Sequence, residues 1–172
     1  RMAIVLTRMY ESGDEYAHTT KADSKILLRN LYPTLLAGTD PRNLKVLPEE
    51  AVGGLIGRLI FVTAREKRKS IAWPTSSERH PSILQNHKMD LQHISELKGE
   101  YNPKQAAKQL FTEWYEAQGL IKVDDPRLDA FHERCHDTAL KLSMLLAISR
   151  GDSLSLEREH IAGGIAFIEK QL

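Results

Sequence analysis

The chain has 172 residues, 24 basic and 23 acidic side chains for a formal charge of +1, and a single cysteine. That length supports one domain with a sizeable core or two small lobes, while the balanced charge by itself argues neither for nor against nucleic acid. One cysteine excludes an internal disulfide framework, no apolar run approaches the roughly 20 residues that span a bilayer, and no signal peptide is visible, so the expected setting is the cytoplasm and no membrane partner is expected.

The sequence starts at Arg1, with apolar, periodic residues from Met2 to Leu6 directly behind it. This is the pattern expected of a chain cut from something longer. Over residues 1–11, Ile4, Leu6 and Met9 fall at helical spacing, and the helix should end near Gly13. Residues 15–31 predict a β-hairpin: Tyr16, His18 and Thr20 alternate, Lys21-Ala22-Asp23 turns, and Ile26 to Leu31 returns.

Tyr32 to Pro41 is a short apolar run closed by small and polar residues, which reads as a buried strand emptying into a loop. A helical stretch near Leu47 to Val52 leads to Gly53-Gly54-Leu55-Ile56-Gly57-Arg58-Leu59-Ile60-Phe61-Val62-Thr63. Its second half reads as another buried strand with Arg58 at the entry, so strand, helix and strand suggest neighbours in one sheet joined by a crossover.

Composition shifts at the basic run Arg65, Lys67, Arg68 and Lys69, and the Pro-, Ser- and Thr-rich stretch from Trp73 to Ser82 reads as a linker. Beyond it the chain is helical. Residues 83–98 carry Ile83, Leu84, Leu91, Ile94 and Leu97. Asn102 is expected to cap a helix with Pro103 in its first position, an apolar face of Ala107, Leu110, Phe111 and Trp114, and a stop at Gly119. Asp125-Pro126 repeats the start signal for the longest helix, with Leu128, Phe131, Cys135, Ala139, Leu142 and Leu145 on one stripe and an end at Gly151. Leu154 and Leu156 suggest a short strand, and 157–171 a last helix. Gly163 and Gly164 inside that helix each cost about 1 kcal/mol relative to alanine, which a close helix contact would explain. The fold class expected is α+β, with a sheet-bearing part over 1–72, a linker over 73–82 and a helical lobe over 83–172.

Together, Tyr32 to Leu44 and Gly53 to Val62 resemble the second half of the ATPase core of phage and prophage primase–helicase-like proteins, P-loop ATPases of RecA or AAA-like type. Asp90 to Ile94 with Gly99-Glu100, then Phe111 to Tyr115, then Leu140 to Leu146, resemble the helical region after that core. The resemblance covers nearly the whole chain through diffuse motifs. It implies that Thr39 sits where such ATPases place a polar sensor of the γ-phosphate. It implies that Arg58 sits where they place an arginine reaching a nucleotide, in its own subunit or the neighbour's. It further implies ATP, magnesium, DNA and a ring of subunits for the parent protein. The bland alternatives are a turn and helix cap at Thr39-Asp40-Pro41 and an ordinary salt-bridged arginine at 58. The chain departs from the family in having no G-x-x-x-x-G-K-[ST]. Without that loop's backbone N–H groups and lysine, phosphates have no cradle, so the chain alone is expected to hydrolyse nothing.

A rival reading is a zinc hydrolase. His132-Glu133-Arg134-Cys135-His136 matches H-E-x-x-H; on a helix the histidines lie one turn apart, the glutamate can activate a metal-bound water, and Glu157 or Glu159 is a distant third ligand. Arg134 and Asp137 occupy positions that such peptidases tend to keep uncharged, and the histidines flank an apolar stripe, so no metal is expected. Cys135 on that stripe reads as a buried apolar thiol. A third reading is a non-enzymatic nucleic-acid or protein binding module using Arg65, Lys67, Arg68 and Lys69 with Trp73 nearby, although Lys104, Lys108, Lys141 and Arg150 read as scattered on their helices without a stripe.

Overall fold

A computed structural model describes residues 2–11, 15–18, 26–29, 33–40, 42, 55–63, 70, 72–73, 81–124 and 126–170. The protein mixes helices with small paired strands, as its α+β pattern predicts. The helices are α1 (Met2–Glu11), α2 (Pro81–Glu96), α3 (Gln105–Gln118), α4 (Pro126–His132), α5 (Cys135–Arg150) and α6 (Arg158–Glu169). The strands are β1 (Glu15–His18), β2 (Ile26–Arg29), β3 (Asn102–Pro103) and β4 (Ser155–Leu156). No helix among the described residues is long and apolar enough to cross a membrane. The contacts divide the chain into two compact units, one from Arg1–Leu59 and Lys122–Cys135, the other from Ile60–Ile121 and His136–Leu172.

In the first unit, α1 and the hairpin form where the sequence places them. β1 and β2 are antiparallel, with Glu15 opposite Arg29 and Tyr16 opposite Leu28. Glu15 Oε1 accepts from Arg29 Nε at 3.1 Å across the end of the pair, and Tyr16 is buried.

The two expected buried strands do not form. Residues 33–40 have no regular structure and are exposed, with Leu36 97% accessible. Residues 56–58 make a turn of 3-10 helix (Ile56–Arg58), followed by irregular chain over 59–63, where Val62 is 84% accessible. A short apolar run has no period that separates strand from coil. It becomes a strand only if a neighbour takes up its N–H and C=O groups, and among the described residues neither segment pairs with another strand. Arg58 therefore lies in a turn and not at a strand entry. The expected helix near 47–52, the hairpin turn at 21–23 and most of the linker (74–80) lie outside the described residues.

The expected single helix over 126–150 is broken. α4 ends at His132, Arg134 N donates to Phe131 O at 3.1 Å in an i→i−3 turn, and α5 begins at Cys135. Phe131, Cys135 and Ala139 are buried whereas Leu128 and Leu145 are exposed, so the expected apolar stripe is buried only in its middle, and the helical ladder along it is interrupted.

The second unit is built on α3, α5 and α6. α3 packs along α6, burying Ala107 and Trp114 on one side and Ile161, Ile165 and Ile168 on the other. A fully buried isoleucine contributes about 1.5–3 kcal/mol, so Ile161 and Ile168, at 1% and 0% exposure, anchor this core. Where α5 meets α6, Gly164 lies against Ser143 and Ala139; this is the close contact that explains a glycine inside a helix. Ser143 Oγ turns back to donate to Ala139 O at 2.7 Å, which satisfies a buried hydroxyl within its own helix.

The start of α3 is displaced from the sequence expectation. Its N-cap is Lys104, with no side-chain cap. Asn102 and Pro103 instead pair in parallel with Ser155 and Leu156. Asn102 N donates to Leu154 O at 2.7 Å and Lys104 N to Leu156 O at 3.0 Å; Pro103, which has no N–H, falls between the two donors. At the start of α6, Glu157 N donates to His160 Nδ1 at 3.2 Å, placing the ring proton of neutral His160 on Nε2. α2 forms where predicted, with Pro81 in its first turn, but buries none of its residues. His93 Nε2 on α2 meets Asp152 Oδ1 at 2.9 Å.

Candidate functional site

Arg58 is the singled-out residue with the most developed surroundings. The turn that carries it is seated by Gly57, which is buried. A Cβ at 57 would overlap the Ala130 carbonyl oxygen and come within 2.9 Å of the Ala130 carbonyl carbon. Only a residue without a side chain lets the turn approach α4 so closely. From there the Arg58 guanidinium lies over the Tyr10 ring of α1, 5.6 Å from its centroid, within cation–π range.

Burial, and then the charge of neighbouring Arg134, push Arg58 below the ordinary arginine range, while Tyr10 acts in the opposite direction. Arginine remains charged at neutral pH regardless. The result is a corner in which two guanidiniums lie within electrostatic reach of each other, one of them half-buried on an aromatic ring. Planar forks of this kind match phosphate and carboxylate oxygens. Tyr10 and Arg134 were not legible as parts of this corner, because nothing in the linear sequence brings α1, the turn and the end of α4 together.

Thr39 lies in the exposed irregular segment, its Oγ1 donating to Asp40 O at 3.4 Å. The next residue is more constrained. Asp40 Oδ1 accepts from Arg42 N at 2.8 Å, and its carboxylate takes Arg42 Nη2 at 2.7 Å and Nε at 3.1 Å. These bonds tie Asp40 to Arg42 locally, and the Arg42 guanidinium and amide hold the Asp40 carboxyl below the usual carboxylate range. Arg65, Lys67, Arg68 and Lys69 lie outside the described residues.

His132 closes α4 and His136 is in the first turn of α5, so the H-E-x-x-H residues do not lie on one continuous helix. His132 Nε2 is buried without a hydrogen-bond partner among the described residues. His136 Nε2 meets Asp137 Oδ1 at 3.5 Å. No group of three or more His, Cys, Asp or Glu side chains that could hold a metal ion occurs among the described residues. Cys135 is buried and unbridged.

In the second unit a cleft of about 370 Å³ is lined by Phe61, Val62, Thr63, Phe167 and Lys170. Among the described residues Lys170 is its one charged lining residue, and none of the described residues that the sequence singles out lines it. In comparisons with known proteins, the chain matches no family model, no curated protein and no solved structure.

Proposed function

We propose that the chain is the C-terminal part of a phage-type P-loop ATPase acting in DNA replication, in which Arg58 braces phosphate charge and Thr39 occupies the sensor position. The observation that carries the reading is the setting of Arg58, with its guanidinium 5.6 Å from the Tyr10 ring, its turn seated on Ala130 and Arg134 beside it. Two cationic forks in one corner suit the charge that spreads over the oxygens of a transferring phosphoryl group. The reading rests on this corner and on the sequence resemblance, not on a sheet, since 33–40 and 59–63 are irregular.

In this reading the parent protein supplies the phosphate loop, the magnesium-binding acid and the ATP, assembles as a ring in the cytoplasm and engages DNA. The guanidinium donors of Arg58 and Arg134 fit phosphate oxygens; bound ATP supplies the phosphoryl group. Arg58 holds charge at the site, and Tyr10 fixes where that charge sits.

The test is ATP turnover by the full-length parent with Arg58→Ala. An arginine that stabilises phosphoryl transfer contributes about 10³–10⁵ in rate, so turnover should fall at least about a thousandfold with an unchanged circular dichroism spectrum. Arg58→Lys, which keeps the charge and loses the fork, should remain strongly impaired. Unchanged turnover in Arg58→Ala removes Arg58 from the mechanism.

A further inference from the structure

Lys104 and Lys108 are scattered charges in the linear sequence, but the structure gives them neighbours. α3 begins at Gln105 behind its N-cap Lys104. With 3.6 residues per turn, Lys104, Lys108, Phe111 and Tyr115 fall at i, i+4, i+7 and i+11, one row about 16 Å long. The row runs beside the buried stripe of Ala107 and Trp114. Both lysines are exposed, Phe111 is half-buried, and Tyr115 is 50% accessible.

The rings are coupled. Phe111 stacks on Tyr115 with centroids 6.3 Å apart and planes inclined by 27°. His136 from α5 meets Tyr115 edge-on at 5.1 Å, and Trp114 lies behind Phe111 at 5.9 Å. Tyr115 is thus braced on two sides and open to solvent. The acids of α3 lie off the row: Glu113 is on the far side of the helix, tied to Gln109 Nε2 at 2.9 Å, and Glu116 is about 100° round the helix from the row. Asp137 sits against His136 Nε2.

We propose that the α3 row of Lys104, Lys108, Phe111 and Tyr115, buttressed by His136, is a binding surface for single-stranded nucleic acid. Its chemistry is that of a strand-tracking site: a braced aromatic ring offers a face on which an unpaired base stacks, and cations on the same row take the adjoining phosphates. The faces of bases in a duplex are already stacked on their neighbours, so the platform discriminates against double strands. The row shares the nucleic-acid partner of the replication reading but not its chemistry, because it needs neither nucleotide nor phosphate loop.

The experiment is fluorescence anisotropy of a labelled 20-residue oligothymidylate titrated with the 172-residue chain, without ATP, over a series of salt concentrations. Single-stranded oligothymidylate should bind, and the matching duplex should bind at least about fivefold more weakly. Base–aromatic stacking lost by alanine substitution corresponds to roughly 5–150-fold in affinity, so Tyr115→Ala should weaken binding at least about fivefold, while Tyr115→Trp should restore it. Lys104→Ala with Lys108→Ala should reduce the slope of log K against log salt by about 1.4, at about 0.7 per single-strand phosphate contact. The proposal is overturned if the chain does not bind, if duplex binds as well as single strand, or if Tyr115→Ala binds like the parent chain. It is overturned equally if neutralising Arg65, Lys67, Arg68 and Lys69 abolishes binding while the lysine pair does nothing. None of these outcomes bears on ATP turnover by the parent, so the two readings fail separately.

Discussion

Ser143 Oγ occupies the place that a side chain at position 164 would need: a Cβ built on Gly164 would overlap it and approach the Ala139 carbonyl oxygen to 2.5 Å. Neither neighbour gives way cheaply. The carbonyl is helix backbone, and the hydroxyl is held by its own hydrogen bond to that same carbonyl.

Gly164→Ala should therefore destabilise the protein although alanine is the better helix former. Overpacking costs about 1–3 kcal/mol, against about 1 kcal/mol gained in propensity. Gly163→Ala provides the internal control. Among the described residues its Cβ would meet only the Leu146 Cδ1, at 2.7 Å, the far end of a flexible side chain. Thermal unfolding of the two variants should show Gly164→Ala melting below Gly163→Ala, by about 2–4 °C for each kcal/mol.

Gly57→Ala tests the seat of Arg58. The added methyl meets the Ala130 peptide, so the 3-10 turn must move off α4 and carry Arg58 away from Tyr10. The expected readout is a change in Tyr10 fluorescence or ring chemical shifts, together with a loss of stability of about 1–3 kcal/mol in denaturant unfolding. Wild-type Tyr10 signals in a stably folded Gly57→Ala protein would show that the turn does not depend on that contact.

Asp40 should titrate below an ordinary aspartate. Its side-chain and backbone bonds from Arg42 lower its carboxyl in the folded protein, and slight burial opposes them. A folded value below the unfolded one contributes stability that is present above the unfolded value and lost as pH falls through the folded value. Carboxyl NMR titration should show this in the acid range, and Arg42→Ala should move Asp40 up toward the unfolded aspartate value. Both side chains are exposed, so the effect of the pair should shrink in high salt.

Cys135 should be inert in the folded protein. It is 1% exposed and unbridged, and thiol reactivity requires an accessible thiolate. A chromogenic disulfide reagent should label it at the rate of opening, and promptly in denaturant. Prompt stoichiometric labelling of native protein would contradict the burial.

Elements that announce themselves by chemistry local to the chain were legible in the sequence. The period of Ile4, Leu6 and Met9 marks α1, and the alternation around Tyr16 marks the hairpin. Gly119 marks the end of α3, and Ile161, Ile165 and Ile168 mark α6. What failed depended on partners distant in sequence. Leu35 and Leu36 look like core in a linear reading, but no strand pairs with them among the described residues, and they are exposed. Asn102-Pro103 is a good helix start until Ser155 and Leu156 claim its backbone. The stripe from Leu128 to Leu145 is periodic through residues 133–134, so periodicity could not reveal the break there. In the candidate site, Arg58 was visible as a charge beside glycines, whereas Tyr10 and Arg134 come to it only through folding. The row on α3 is hidden differently: its lysines and aromatics are separate kinds of residue in the linear sequence, and only their shared helical phase aligns them.

The small parallel bridge between β3 and β4 has a consequence for chain continuity. It joins residues 53 apart in sequence, Asn102 and Ser155, with a backbone bond on either side of Pro103. The α3–α6 packing begins directly after it. Gly119 to Ile121, which lie between the joined ends, take no part in the bridge. Proteolytic nicking after Ile121 would thus sever the polypeptide without removing one hydrogen bond from the junction, and the second unit has the wiring of two fragments able to complement one another.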